Sequence, residues 1–123
     1  MRSFNPDQQM RLLRLSGAIA TLPGLKLELL ASLLTIAAEP GLSVNELADK
    51  TATPQASASR YVSVLTGRYH GDTSEPAVPL VSQEIRADDP RRRALFLTPE
   101  GYEAVLSIIE AVEPISNAKG ETR

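Results

Sequence analysis

Two groups of side chains in this 123-residue chain have the types and spacing to hold a polyanion. The first is Thr53, Gln55, Ala56, Ser57, Ser59, Arg60 and Ser63, spaced to share the outer part of one helix, with Arg68 just beyond its end. Small side chains let a backbone approach closely, and Ser and Thr hydroxyls donate to phosphate oxygens. An Arg either grips a phosphate or reads the edge of a guanine. A helix face that merely meets water more often carries several Glu and Lys, both strong helix formers. Pro54 to Leu65 contains neither. The second group is Asp89, Arg91, Arg92 and Arg93, at the tip of what reads as a β-hairpin. Guanidinium groups there suit phosphates. Each group also has a plainer reading, a helix surface poor in charge and an ordinary polar hairpin tip.

Other chemistry is missing from the sequence. With one His and no Cys there is no His cluster, thiol nucleophile, thiolate zinc site or disulfide framework. Neither G-x-x-x-x-G-K-[ST] nor G-x-G-x-x-G occurs. Glu110 and Glu113 lie one turn apart but near the end of a surface helix. The sequence therefore predicts no cofactor, no metal and no enzyme.

The totals fit that outline. Apolar residues make up 42% and charged residues 23%, ordinary for a soluble globular chain and enough for one small domain spanning 1–123. No apolar run approaches the roughly 20 residues a membrane span needs. MRSFNPDQQ has no apolar core of a signal peptide, so a cytoplasmic location is expected. The net charge of −2 argues mildly against a nucleic-acid partner. Its distribution argues the other way. Arg86, Arg91, Arg92 and Arg93 fall together, whereas Glu100, Glu103, Glu110 and Glu113 follow the hairpin. Screening cuts fields off within about 8 Å, so local sign matters more than the total.

The elements that must position these groups follow from caps and periodicity. Asn5-Pro6 opens a helix over 6–22 that stops before Pro23-Gly24. Its stripe of Met10, Leu13 and Gly17, flanked by Leu12, Leu15 and Ile19, suits either a core or a dimer partner. The helix over 25–38 is apolar on most sides, with Lys26, Glu28, Ser32 and Thr35 as its polar surface, and reads as a central post buried on most sides. Ser43 and Glu46 form a capping box that begins a helix-turn-helix over 43–65. Its second helix is expected to take Pro54 as its first residue. That helix should bury Ala58, Tyr61, Val62 and Leu65, leaving Val64 on the outer side. Residues 66–79 form a loop rich in Gly, Pro and polar residues, in which Arg68, Tyr69 and His70 either touch a polyanion or decorate the surface. The hairpin covers 80–97. Thr98-Pro99 starts a helix over 98–113, with Tyr102, Val105, Leu106, Ile109 and Val112 as its apolar stripe and Ile108 adjacent.

The stretch from about 25 to 112 resembles the winged helix-turn-helix of the multiple-antibiotic-resistance regulator (MarR) family. The matching residues are Glu46-Leu47-Ala48, Ser57, Ser59-Arg60, Leu65, Leu80-Val81, Asp89 with Arg91 and Arg92, and Leu97-Thr98-Pro99-Glu100-Gly101. The resemblance implies a mainly α fold with a small β-hairpin wing. It also implies a dimeric, sequence-specific regulator of transcription, often a repressor released by a small ligand. Arg91 would enter the minor groove, Asp89 would organise it, and Arg92 or Arg93 would meet phosphate. The 66–79 loop is longer than the family's connection, and the region after the wing is shorter. A homodimer would therefore use the N- and C-terminal helices. Two readings outside transcription also stay open: a winged-helix module for protein–protein contact, and a replication or partition accessory of a plasmid or phage.

Overall fold

In the computed structural model, which describes residues 3–22, 25–68, 78–89 and 92–113, local caps fix where most helices begin. The elements are α1 (Pro6–Ala20), α2 (Leu27–Ala38), α3 (Val44–Thr51), α4 (Gln55–Leu65), β1 (Val81–Ile85), β2 (Arg93–Leu97) and α5 (Pro99–Val112). Asn5 accepts from the Gln8 N–H while Gln8 accepts from the Asn5 N–H, which starts α1. Ser43 and Glu46 make the same reciprocal pair, at 3.2 and 2.8 Å, and start α3. The Thr98 hydroxyl accepts from the Gly101 N–H at 3.0 Å, so α5 begins at Pro99 as its sequence predicts. Five helices and one antiparallel hairpin make the described chain a winged helix-turn-helix, mainly α, as expected.

The chain forms two compact units, Pro23–Val105 and Met1–Leu22 with Leu106–Arg123. The larger holds the helix-turn-helix and the hairpin. Its core joins Leu29, Leu33 and Ile36 of α2 to Leu47 and Ala48 of α3, Ala58, Val62 and Leu65 of α4, and Leu95 of β2. Leu33, Ile36, Leu47, Leu65 and Leu95 are wholly buried, each contributing about 1.5–3 kcal/mol of hydrophobic stabilisation.

Three sequence expectations shift here. Helix α2 is buried or half-buried on most sides, as expected, but not through all the residues expected. Leu27 at its start is 79% exposed, and Ser32, expected on its polar surface, is buried. On α4, Val64 is buried rather than outward and Tyr61 is only half-buried, because α4 packs against both α2 and α3. On α5 the buried residues are Gly101, Val105, Ile108 and Ala111, while Tyr102, Ile109 and Val112 stay exposed.

Strands β1 and β2 pair in the register Val81↔Leu97, Gln83↔Leu95 and Ile85↔Arg93 on one face, with Ser82↔Phe96 and Glu84↔Ala94 on the other. The Gly41 N–H donates to the Leu95 carbonyl and the Leu95 N–H to the Leu42 carbonyl, so the turn before α3 lines the far side of β2. At the other end, the Leu80 carbonyl accepts from the Thr98 N–H, and a Cβ on Gly101 would sit 2.0 Å from that oxygen. Only glycine permits so close an approach of α5 to the start of the wing.

In the smaller unit, α1 has no fully buried residue. Its half-buried stripe is Asp7, Arg11, Leu15 and Ala18, and Arg14 donates to the Glu110 carbonyl at 2.6 Å. Met10, Leu12, Leu13 and Ile19 are left exposed, with Phe4 before them.

Candidate nucleic-acid interface

Helix α4 is presented by a tight turn. Ala52 takes a left-handed conformation at φ 55° to end α3, and the Thr51 and Thr53 hydroxyls pair with each other. Pro54 is the N-cap rather than the first helical residue, so α4 starts one position later than expected. Proline at that place has no side chain that can cap, and α4 begins without a side-chain cap hydrogen bond from it. From this start Gln55, Ala56, Ser59 and Arg60 are exposed, while Thr53, Ser57 and Ser63 are half-buried. The opposite side of the helix is locked into the core by Ala58, Val62 and Leu65. Arg60 is in no ion pair among the described residues, so its charge faces outward uncompensated.

The end of α4 is closed by a Schellman motif. The Arg68 N–H donates to the Ser63 carbonyl and the Gly67 N–H to the Val64 carbonyl, both at 2.9 Å, with Gly67 at φ 80°. Immediately beyond, the Arg68 Nη2 donates to the Gln83 Oε1 of β1 at 3.1 Å. The Leu80 N–H donates to the Leu65 carbonyl at 2.9 Å, tying the wing's first strand to the last turn of α4. Tyr69 and His70, with most of the 66–79 loop, lie outside the described residues.

The wing sorts its arginines by partner. Arg86 is held by both carboxylate oxygens of Asp88 at 3.1 and 3.0 Å, and that bond raises the Arg86 pKa and lowers that of Asp88. The Asp89 carbonyl accepts from the Arg92 N–H, shaping the turn. The Arg92 side chain lies 3.4 Å from Glu46 at the start of α3. Arg93 opens β2 across from Ile85, on the face that also carries Gln83, and it too is in no ion pair among the described residues. Arg91 lies outside the described residues. Thus Arg68 is joined to the wing through Gln83, and Arg93 shares Gln83's face of the hairpin, whereas Arg92 is held at Glu46 of α3. The roles of Gln83 and Glu46 as holders of arginines were missed in the sequence.

Behind the wing, a cleft of about 910 Å³ is lined by Glu39, Gly41, Glu46, Asp49, Lys50 and Arg86. Its cations are paired with carboxylates, Lys50 to Glu39 at 3.1 Å and Arg86 to Asp88.

No protein-family model matches the chain, and no curated protein matches it significantly. Solved structures do. MarR superposes with a TM-score of 0.58 at 23% identity, covering 80% of this chain and 64% of its own length. The PcaV transcriptional regulator from Streptomyces coelicolor, in complex with its natural ligand, gives 0.59 at 21% identity, covering 91% and 78%. The transcriptional repressor CouR, bound to a 23-mer DNA duplex, gives 0.62 at 20% identity, covering 85% and 66%. These likenesses first define the class, a winged helix-turn-helix. More narrowly, the fold is the MarR-type version, as the sequence resemblance implied. This chain spans less than two thirds of the MarR chain it matches. Among the described residues no helix is long and apolar enough to cross a membrane.

Proposed function

We propose that this protein is a sequence-specific double-stranded DNA-binding transcriptional regulator, a cytoplasmic repressor acting as a homodimer on a pseudo-palindromic operator. The observation that carries this reading is the state of α4: its inner face is fixed in the core while Arg60, among small, hydroxylated neighbours, stands outward with no carboxylate partner among the described residues. The DNA-bound repressor CouR, with the same fold, supports it. In this reading α4 enters the major groove through Thr53, Gln55, Ala56, Ser57, Ser59, Arg60 and Ser63. Arg91 enters the minor groove, organised by Asp89, while Arg68, Arg92 and Arg93 serve the backbone. The exposed Met10, Leu12, Leu13 and Ile19 of α1 supply the homodimer contact, together with Ile109 and Val112 of α5. Two-fold symmetry then sets two α4 helices in successive major grooves about 34 Å apart. The ligand-bound PcaV supports a small-molecule effector. Nothing in the reading requires catalysis.

A salt titration of duplex binding tests the proposal. Wild-type affinity should fall steeply as salt rises, and Arg60→Ala should cost about 1–3 kcal/mol of discrimination between operator and random duplex. A chain with no salt-dependent retention on DNA would instead favour the protein–protein module.

A further inference from the structure

A helix in the major groove and a wing in the adjacent minor groove are separated by one sugar–phosphate strand. That strand must cross the place where helix and wing meet. In this fold the meeting place is fixed by backbone: the Leu80 N–H on the Leu65 carbonyl, the Schellman closure of α4, and Pro79 packed 3.1 Å from where a Cβ on Gly67 would lie. The cation standing there is Arg68. Its backbone is pinned by the bond from its N–H to the Ser63 carbonyl, but its long side chain has rotamer freedom to lose.

Arg68 is held in a different way from its neighbours. Arg86 and Arg92 are bonded to carboxylates, which offset their charge. Arg68 is held by the neutral amide oxygen of Gln83 and is in no ion pair among the described residues. Glu84, the nearest acid along β1, points to the other face of the hairpin. An amide holder orders a guanidinium without neutralising it, leaving the full charge and its remaining donors for an anion. We infer that Gln83 is a positioning residue that holds Arg68 for the phosphate strand crossing between recognition helix and wing. The inference rests on the DNA-binding reading and adds to it a residue that touches no DNA itself.

The test is equilibrium binding of the full chain to a labelled random-sequence duplex across a salt series, for Gln83→Leu, Gln83→Glu, Arg68→Ala and the Gln83→Leu/Arg68→Ala double variant. Arg68→Ala should lower the slope of log affinity against log salt by about one. Gln83→Leu should weaken binding about threefold to tenfold in the wild-type background and leave it unchanged in the Arg68→Ala background. Gln83→Glu keeps the bond but adds a carboxylate, and should lower the salt slope as Arg68→Ala does. Equal losses from Gln83→Leu in both backgrounds, or a wild-type slope in Gln83→Glu, would overturn the inference. A wild-type chain without salt-dependent binding would overturn the DNA reading itself, a result distinct from both.

Discussion

The Nη2 of Arg92 lies 3.4 Å from the Oε2 of Glu46, joining the tip end of the wing to the first turn of α3. The other oxygen of the same carboxylate accepts from the Ser43 N–H at 2.8 Å, so Glu46 caps its helix and braces the wing at once. The Ser43 backbone bond is the largest cause holding the Glu46 carboxyl below its ordinary value of 4.5. Desolvation opposes it, and the charge of Arg92 adds to the lowering. A carboxylate with a lowered folded-state pKa contributes stability that is fully present above its unfolded value. That stability is lost as pH falls through the lower folded value. The thermal midpoint of the wild type should therefore drop as pH goes from neutral to below 4.5, and Glu46→Gln should remove part of that drop. The effect is small because both side chains are nearly half-exposed. Parallel pH profiles for the two proteins would contradict it.

The wing's two described arginines past the tip should not weigh equally in DNA binding. Arg93 has no acidic partner among the described residues, whereas Arg92 must leave Glu46 to reach a phosphate. Arg93→Ala is expected to reduce the salt slope by about one, and Arg92→Ala by less. A titration that ranks them the other way would show that the Glu46 pair does not persist on DNA.

Helix α1 gives a prediction about assembly. Leu13 is 68% exposed in a helix without one buried residue, and Phe4 just before that helix is 61% exposed. Exposed apolar side chains gathered in this way mark an interaction surface. Sedimentation of the wild type should show a dimer, and Leu13→Glu should shift it to monomer at the same concentration. A monomeric wild type, or a Leu13→Glu variant that still dimerises, would remove the proposed contact.

Gly101 is where α5 meets the start of the wing. A Cβ at this position would lie 2.0 Å from the backbone oxygen of Leu80, which cannot rotate away. Gly101→Ala should cost about 3 kcal/mol by denaturant unfolding, the upper end of ordinary overpacking. A loss under about 1 kcal/mol would mean that α5 slides without breaking the Thr98–Leu80 bond.

Much of this fold was legible because its signals are local. Ser43 and Glu46 stand three residues apart, as do Thr98 and Gly101, and one turn of helix is enough to join each pair. The direction in which a helix turns its faces was less legible. Ser32 and Val64 are buried, and Leu27 exposed, because the width of a buried arc depends on how many neighbours cover the helix. The arginine clusters were visible as residues, but their partners were not. Glu46 lies 46 positions from Arg92, and Gln83 lies 15 from Arg68, so both pairings exist only once the hairpin has its register against α3 and α4.

Selection of bound sequences from a random duplex pool tests the central claim most directly, since it reads specificity and symmetry together. The account predicts a pseudo-palindromic consensus whose half-sites lie about one helical turn apart, centre to centre. Enrichment of no sequence at all would contradict it.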